Sequence, residues 1–326
     1  MTHHSPIPAD DMVRNPGIPL NTDWVEAVRA NTPAIEHRVA TLGGRRTVKK
    51  DYQAAWLAKA ITNIDLTTLS GDDTEDRVRR LCAKARNPVR ADILQALGLE
   101  LGELTTGAIC VYHEMVGAAK EALTGTAIPV AAVSTGFPAG LSPFALRLRE
   151  VEASVAAGAD EIDIVISRRH VLRQDWRALY DEVAAFRAAC GPAHMKTILA
   201  TGELGTLRNV YRASLVAMMA GSDFIKTSTG KEAVNATLPV SLVMLRAIRD
   251  YHERTGFKVG YKPAGGISKA KDALAYQVLM KEELGRRWLE PDLFRFGASS
   301  LLADIERQLE HHVTGAYSAL RRHPIA

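Results

Sequence analysis

From Ile61 onward, short runs of apolar and β-branched residues alternate with longer stretches whose apolar positions recur at helical spacing between charges. That alternation is the pattern of repeated β-α-β units, in which strands are covered on both faces and helices bury one stripe. It predicts strands near 61–67, 107–112, 129–135, 161–166, 194–200, 223–227, 258–262 and 293–297. Helices are predicted over 73–85, 145–157, 176–189, 207–220, 239–254 and 269–284. Eight strands in this arrangement close a parallel barrel, so the predicted fold is α/β, a (β/α)8 TIM barrel with an N-terminal extension. Gly158, Gly191, Gly221 and Gly256 stand just past four of the helical stretches, where a left-handed residue commonly ends a helix.

The expected division is an N-terminal arm with short helices over 1–57, the barrel over 58–305, and a C-terminal helix end and tail over 306–326. Residues 1–50 are rich in proline and polar residues. Within them Thr22 to Asn31 reads as a short helix with Thr22 as its N-cap, and the rest as a loosely ordered arm; a helical stretch follows around Trp56. Neither the arm nor the connection from Arg90 to Thr105 carries a chemical motif, which leaves surface or subunit contact as the default role.

Composition narrows the setting. A hydrophobic content of 47% supplies a large core, and 41 basic against 37 acidic residues give a formal charge of +4, too balanced to argue for a nucleic-acid partner. Cys82, Cys110 and Cys190 are widely spaced, with no metal-ligand spacing, and fit a reducing compartment. No apolar run is long enough to span a membrane. The expected protein is cytoplasmic, with no metal and no membrane partner.

Two lysines carry the chemistry: Lys226 in Asp-Phe-Ile-Lys-Thr-Ser-Thr-Gly-Lys and Lys262 in Val-Gly-Tyr-Lys-Pro-Ala-Gly-Gly-Ile, each where an apolar strand runs into a glycine-rich loop. A buried ammonium is costly, and a lysine attacks a carbonyl only when neutral; partial burial beside a second ammonium lowers its pKa toward that condition. Alternation along Glu161-Ile-Asp-Ile-Val-Ile puts Glu161, Asp163 and Val165 on one face and the isoleucines on the other. By the same count Lys226 shares a face with Phe224, Lys262 with Gly260, and Lys196 with Ile198. If these faces point inward, Lys196, Lys226, Lys262 and Asp163 converge. The same convergence also suits a buried ion-pair network that holds the barrel register, with Lys196 as a supporting charge.

A phosphate site follows from the glycines. Pro263-Ala-Gly-Gly-Ile267 and Phe296-Gly-Ala-Ser-Ser300 follow the seventh and eighth strands, the loops with which such barrels often bind phosphate. Gly265, Gly266, Gly297, Ser299 and Ser300 would supply donors, and Lys231 a charge. The run ending Thr229-Gly-Lys231 is not a P-loop, because Ile225 and Glu232 stand where glycine and Ser/Thr are required.

At Asp65-Leu-Thr-Thr-Leu69, Gly158-Ala-Asp-Glu-Ile-Asp-Ile-Val165, Thr201-Gly-Glu-Leu204, Asp223 to Lys231, Gly260 to Gly266 and Arg295-Phe-Gly-Ala-Ser-Ser-Leu-Leu302, the chain resembles the deoxyribose-phosphate aldolases. These are lysine-dependent (class I) aldolases built on a (β/α)8 barrel, and the matches keep the family's order from Ile61 to Leu302. The resemblance implies a Schiff base on Lys226, a pKa-lowering role for Lys262, and proton transfer by Asp163 with Lys262 through an ordered water. It implies sugar-hydroxyl binding by Asp65 and Thr229, although a strand-end aspartate also serves as a turn cap. Cys110 matches a family thiol near the pocket and equally suits a small core position. Family members can carry a tail tyrosine that approaches the substrate; here Tyr317 is the candidate, with the chain continuing to Ala326.

The implied reaction is reversible cleavage of 2-deoxy-D-ribose 5-phosphate to D-glyceraldehyde 3-phosphate and acetaldehyde, in the catabolism of deoxyribonucleotides and carbohydrates. No metal or organic cofactor is expected, because the imine supplies the electron withdrawal. The expected partners are the phosphorylated sugar and aldehydes, and a second copy in a dimer or tetramer. Another Schiff-base barrel aldolase, or a non-catalytic barrel binding phosphorylated sugars, are the alternatives.

Overall fold

The computed structural model describes residues 14–319 and 322–323. Residues 1–13 of the expected arm, and residues 320–321 and 324–326 of the expected tail, lie outside the described residues. Eight parallel strands run in sequence: β1 (Ile64–Thr67), β2 (Ala108–Tyr112), β3 (Val130–Val133), β4 (Glu161–Val165), β5 (His194–Ile198), β6 (Phe224–Lys226), β7 (Gly260–Lys262) and β8 (Phe296–Ala298). Each pairs with its neighbours in chain order, and β1 pairs with β8. The last seam, between β7 and β8, closes through Tyr261 N–H to the Leu293 carbonyl at 2.9 Å and Gly297 N–H to the Pro263 carbonyl at 2.9 Å. Among the described residues, the two edge strands of the sheet are thus bridged.

Helices Glu75–Arg86, Val116–Ala122, Phe144–Ala156, Trp176–Cys190, Leu207–Met219, Leu238–Thr255, Ala270–Leu284 and Leu301–Thr314 follow the strands in turn. Val116–Ala122 has only two turns, rich in alanine, and its periodicity is too short to be read from the sequence. Thr74, Asp175, Thr206 and Thr237 cap four of these helices by accepting a backbone N–H three residues on, leaving fewer orphan donors at their starts. Among the described residues, no helix is long and apolar enough to cross a membrane.

Alternation sorts the strand side chains into two layers. Ile162, Ile164, Met195 and Ile225 join the large core between sheet and helices, whereas Cys110, Ala131, Val133, Val165 and Ile198 form a smaller apolar cluster inside the barrel. Gly260 is required by packing: a Cβ there would stand 2.4 Å from the ring of Phe224, which fills the barrel floor beside it.

The N-terminal extension departs from the expected loose arm. Its first helix is Thr22–Ala27, capped by Asn21 rather than Thr22, because the Asn21 side chain accepts the Trp24 N–H at 2.9 Å. The expected helix thus ends at Ala27 rather than Asn31, and Asn31 caps a second helix, Thr32–Ala40, that the sequence reading did not include. Trp24 stacks on Tyr251 with ring centroids 6.2 Å apart, and Ile35 and Leu42 are buried in the main core. Asn15 donates through its backbone N–H to Asp223 at 2.8 Å, and through its side chain to the carbonyls of Met218 and Ser222 at 2.8 and 2.9 Å. The proline and polar content that suggests disorder instead supplies caps and turns over an apolar face of the barrel's outer helices.

Candidate active site

The side chains that alternation sends inward meet on Asp163. Lys226 Nζ lies 2.7 Å from Asp163 Oδ2, and Lys262 Nζ lies 2.8 Å from the same oxygen. Lys262 also pairs with Asp65, and Lys196 pairs with Glu161 while standing 3.4 Å from Asp163 Oδ1. Beneath them, Arg295 donates to Asp65 Oδ1 at 2.7 Å and to Glu161 Oε1 at 3.0 Å. All seven groups are buried, the most exposed being Lys226 at 3%.

Four cations here face three carboxylates, so the buried network carries one surplus positive charge. Burial disfavours every charge, and the surplus proton leaves most easily from the cation with the least carboxylate support. Lys226 shares one carboxylate with a second ammonium; burial, helped by Lys262 and opposed by Asp163, holds its pKa below the usual lysine value. At Lys262 burial acts the same way but is overcome by Asp163 and Asp65, so its pKa is raised. Burial would raise Asp163, yet Lys226, Lys262 and Lys196 hold its carboxyl well below the usual range. Asp65 and Glu161 are likewise kept ionised against burial, Asp65 chiefly by Lys262 and Arg295, Glu161 by Arg295 and Lys196. An amine with a lowered pKa, beside a second ammonium and an ionised carboxylate, is the arrangement imine chemistry needs.

Above this layer, at the C-terminal ends of the strands, a cavity of about 370 Å³ opens between the loops after β1, β6, β7 and β8. Of the three lysines in the buried network, Lys226 alone reaches its lining. Thr229, Lys231, Gly265, Gly266, Gly297, Ser299 and Ser300 also line it, so the structure brings the sequence-derived phosphate residues to one mouth with Lys226. Ser300 stands at the N-terminus of the helix Leu301–Thr314 and makes no capping bond with its side chain, which leaves hydroxyl and helix end facing the cavity. Gly265 has φ +81°, and a Cβ there would stand 2.6 Å from the side chain of Asn235, so only glycine fits this turn without displacement.

Other expected residues have different surroundings from those their expected roles require. Asp65 lies below the cavity floor, bound to Lys262 and Arg295 instead of capping a turn. The Thr229 hydroxyl is engaged within its own loop, donating to Glu232 at 2.8 Å and accepting from the Lys231 N–H at 3.1 Å. Cys110 belongs to the apolar cluster inside the barrel, where burial pushes its thiol pKa up. Tyr317 stacks on His311 just past the end of Leu301–Thr314 and does not line the cavity. A larger cavity of about 750 Å³, lined by Trp56, Lys59, Leu104 and Leu289 among others, contains none of the expected site residues and lies toward the opposite end of the barrel.

The model of the DeoC/LacD family aldolases matches residues 59–306, a span that contains the buried network and the residues lining the cavity above it. The chain belongs to that family. Among curated DeoC/LacD relatives, the deoxyribose-phosphate aldolase of Mus musculus is 61% identical over 312 residues, covering 95% of this chain and 98% of the relative. That of Homo sapiens is 59% identical over 314 residues, with 96% and 99% covered. The solved deoxyribose phosphate aldolase of Aeropyrum pernix superposes with a TM-score of 0.58 at 20% identity, over 85% of this chain and 98% of that one, a likeness of fold.

Three residues of this DeoC/LacD barrel went without a role in the sequence. Glu161 was legible as inward-facing, two residues before Asp163, but its partner across the barrel was not. Arg295 precedes the Phe-Gly-Ala-Ser-Ser turn and looks there like an ordinary strand-edge cation. Glu232 gave only a negative signal, as the residue that breaks a P-loop.

Proposed function

We propose that this chain is a class I aldolase that reversibly cleaves 2-deoxy-D-ribose 5-phosphate to D-glyceraldehyde 3-phosphate and acetaldehyde. The neutral Lys226 amine adds to the C1 aldehyde and, with loss of water, forms an imine whose protonated form draws electrons. Removal of the C3 hydroxyl proton then breaks the C2–C3 bond, giving the new aldehyde and an enamine on Lys226. Protonation of the enamine at C2 and hydrolysis of the imine release acetaldehyde and restore the amine.

Each neighbour has a matching task in this reading. Asp163 stays ionised and serves as the proton acceptor. Its Oδ2 holds both lysines, while its Oδ1 accepts no hydrogen bond among the described residues. Lys262 keeps its proton across the neutral range and depresses Lys226. Asp65 and Lys196 support these two from below, Asp65 acting on substrate only through Lys262. Lys231, the Gly265–Gly266 and Gly297 turns, Ser299 and Ser300 hold the phosphate, with Thr229 shaping the loop beside it.

The observation that carries the reading is the position of Lys226, the one lysine of the buried network that reaches the cavity. Borohydride reduction of the protein mixed with 2-deoxyribose 5-phosphate, followed by mass spectrometry of the peptide containing Lys226, tests it. A reduced adduct on Lys226, absent in Lys226→Ala, is expected. An unmodified Lys226 in folded protein would overturn the covalent mechanism.

We further propose a cytoplasmic, homo-oligomeric enzyme, a dimer or tetramer. All three cysteines are free and buried, in keeping with a reducing compartment.

A further inference from the structure

The loop that follows β6 closes on an internal carboxylate. Glu232 Oε1 and Oε2 each lie 3.0 Å from the Thr229 N–H, Oε2 accepts the Gly230 N–H at 3.1 Å, and the Thr229 hydroxyl donates to it at 2.8 Å. Successive backbone N–H groups converging with a hydroxyl form an anion-binding concavity, the kind of nest that takes a phosphate oxygen elsewhere. In this chain the nest is already filled.

Glu232 is itself held at two points, its carboxylate and its backbone carbonyl. Arg168, from the end of β4, stands 3.8 Å from Glu232 Oε1 and is anchored by Glu203 at 2.9 Å and by the Pro138 carbonyl at 3.0 Å. The Glu232 carbonyl accepts the Asn235 side-chain amide at 2.8 Å, and Asn235 packs against the Gly265 turn. Of the loop's exposed residues, Gly230, Lys231, Ala233 and Val234, the first two line the cavity mouth. Glu232 itself does not line it.

We propose that Glu232 is a positioning residue: its carboxylate takes the place of an anion in the β6 loop and thereby holds Lys231 at the phosphate mouth. The inference rests on the phosphate reading of that mouth. Substrate phosphate then goes to the turns after β7 and β8 and to the Lys231 ammonium, and the nest after β6 serves the protein. Glu232 acts through Lys231 and touches neither the imine carbon nor the transferred proton.

The test compares kcat/KM for 2-deoxyribose 5-phosphate with that for unphosphorylated 2-deoxyribose in Lys231→Ala, Glu232→Ala, Glu232→Gln and Lys231→Ala/Glu232→Ala. Losing a charged acceptor that holds three donors is expected to cut the preference for the phosphorylated sugar about tenfold in Glu232→Ala, mainly through KM. Glu232→Gln, which keeps one acceptor oxygen, should recover part of it, and it provides the reading if the alanine variant does not fold. In the double variant the Glu232 change should add nothing to the Lys231 change. If Lys231→Ala keeps the full preference, the phosphate reading of this mouth fails. If Lys231→Ala loses it while folded Glu232 variants retain it, or if the two losses multiply, the positioning role of Glu232 is overturned.

Discussion

Replacing Lys262 by methionine keeps the length of the side chain and removes its charge, and it tests why Lys226 is reactive. Both lysine nitrogens contact one oxygen of Asp163, at 2.7 and 2.8 Å, so their separation cannot exceed the sum of the two, about 5.5 Å. At an effective dielectric constant of about 20, two like charges about 5.5 Å apart repel by about 3 kcal/mol, which is about two pKa units. Removing Lys262 also frees Asp163 and Asp65 from their shared cation, and the released negative charge favours protonated Lys226 further. Both effects have the same sign. The Lys226 pKa should therefore rise toward or past the ordinary lysine value, and the neutral amine should become scarce at neutral pH.

The assay is the pH dependence of kcat/KM for 2-deoxyribose 5-phosphate cleavage, whose acid limb reports groups of the free enzyme. In Lys262→Met that limb should move up by about two pH units, with activity recovering at alkaline pH. A proton-relay role for Lys262 alone would instead lower the plateau and leave the limb in place. An unmoved limb in folded Lys262→Met protein would refute the electrostatic account of Lys226.

Asp163→Asn removes the anion shared by both lysines; the Lys226 pKa should fall further while kcat drops by about 10²–10⁴-fold, the scale of a lost general base, measured in steady-state assays above pH 7. Gly265→Ala forces a side chain into a left-handed turn and against Asn235, and should raise KM for the phosphorylated sugar about tenfold, from strain of about 1–3 kcal/mol. Asn15→Ala removes two donated carbonyl bonds and leaves the Tyr251 hydroxyl unpaired, so urea unfolding should show a loss of about 2–4 kcal/mol if the extension folds as part of the barrel. Asp65, Glu161 and Asp163 have folded pKa values below their unfolded ones, so they stabilise the fold above the unfolded values. That stability should be lost as pH falls below about 4, seen as a declining urea midpoint in acid.

The barrel itself was legible because its signals are local. Period-two alternation in Glu161 to Ile166 sends Asp163 inward whatever the neighbouring strands do, and the eight strand runs lie within a few residues of their predicted places. Lys226 and Lys262 stood out for the same reason, as charges at the ends of runs that are otherwise apolar. The glycine-rich turns after β7 and β8 announce their backbone geometry through residue type alone.

What the sequence left open depends on distances between residues far apart in the chain. Which lysine is depressed is decided by a count of charges around Asp163 that includes Asp65 and Arg295, some 230 residues apart and joined only when β8 closes on β1. The role of Glu232 depends on a loop turning back on its own N–H groups, and the packing of the N-terminal extension on Asp223, Met218 and Tyr251, about 200 residues distant. Local propensity sets where strands and helices begin, because it acts within a few residues. Electrostatic balance and burial are sums over neighbours in space, and only the closed barrel determines who those neighbours are.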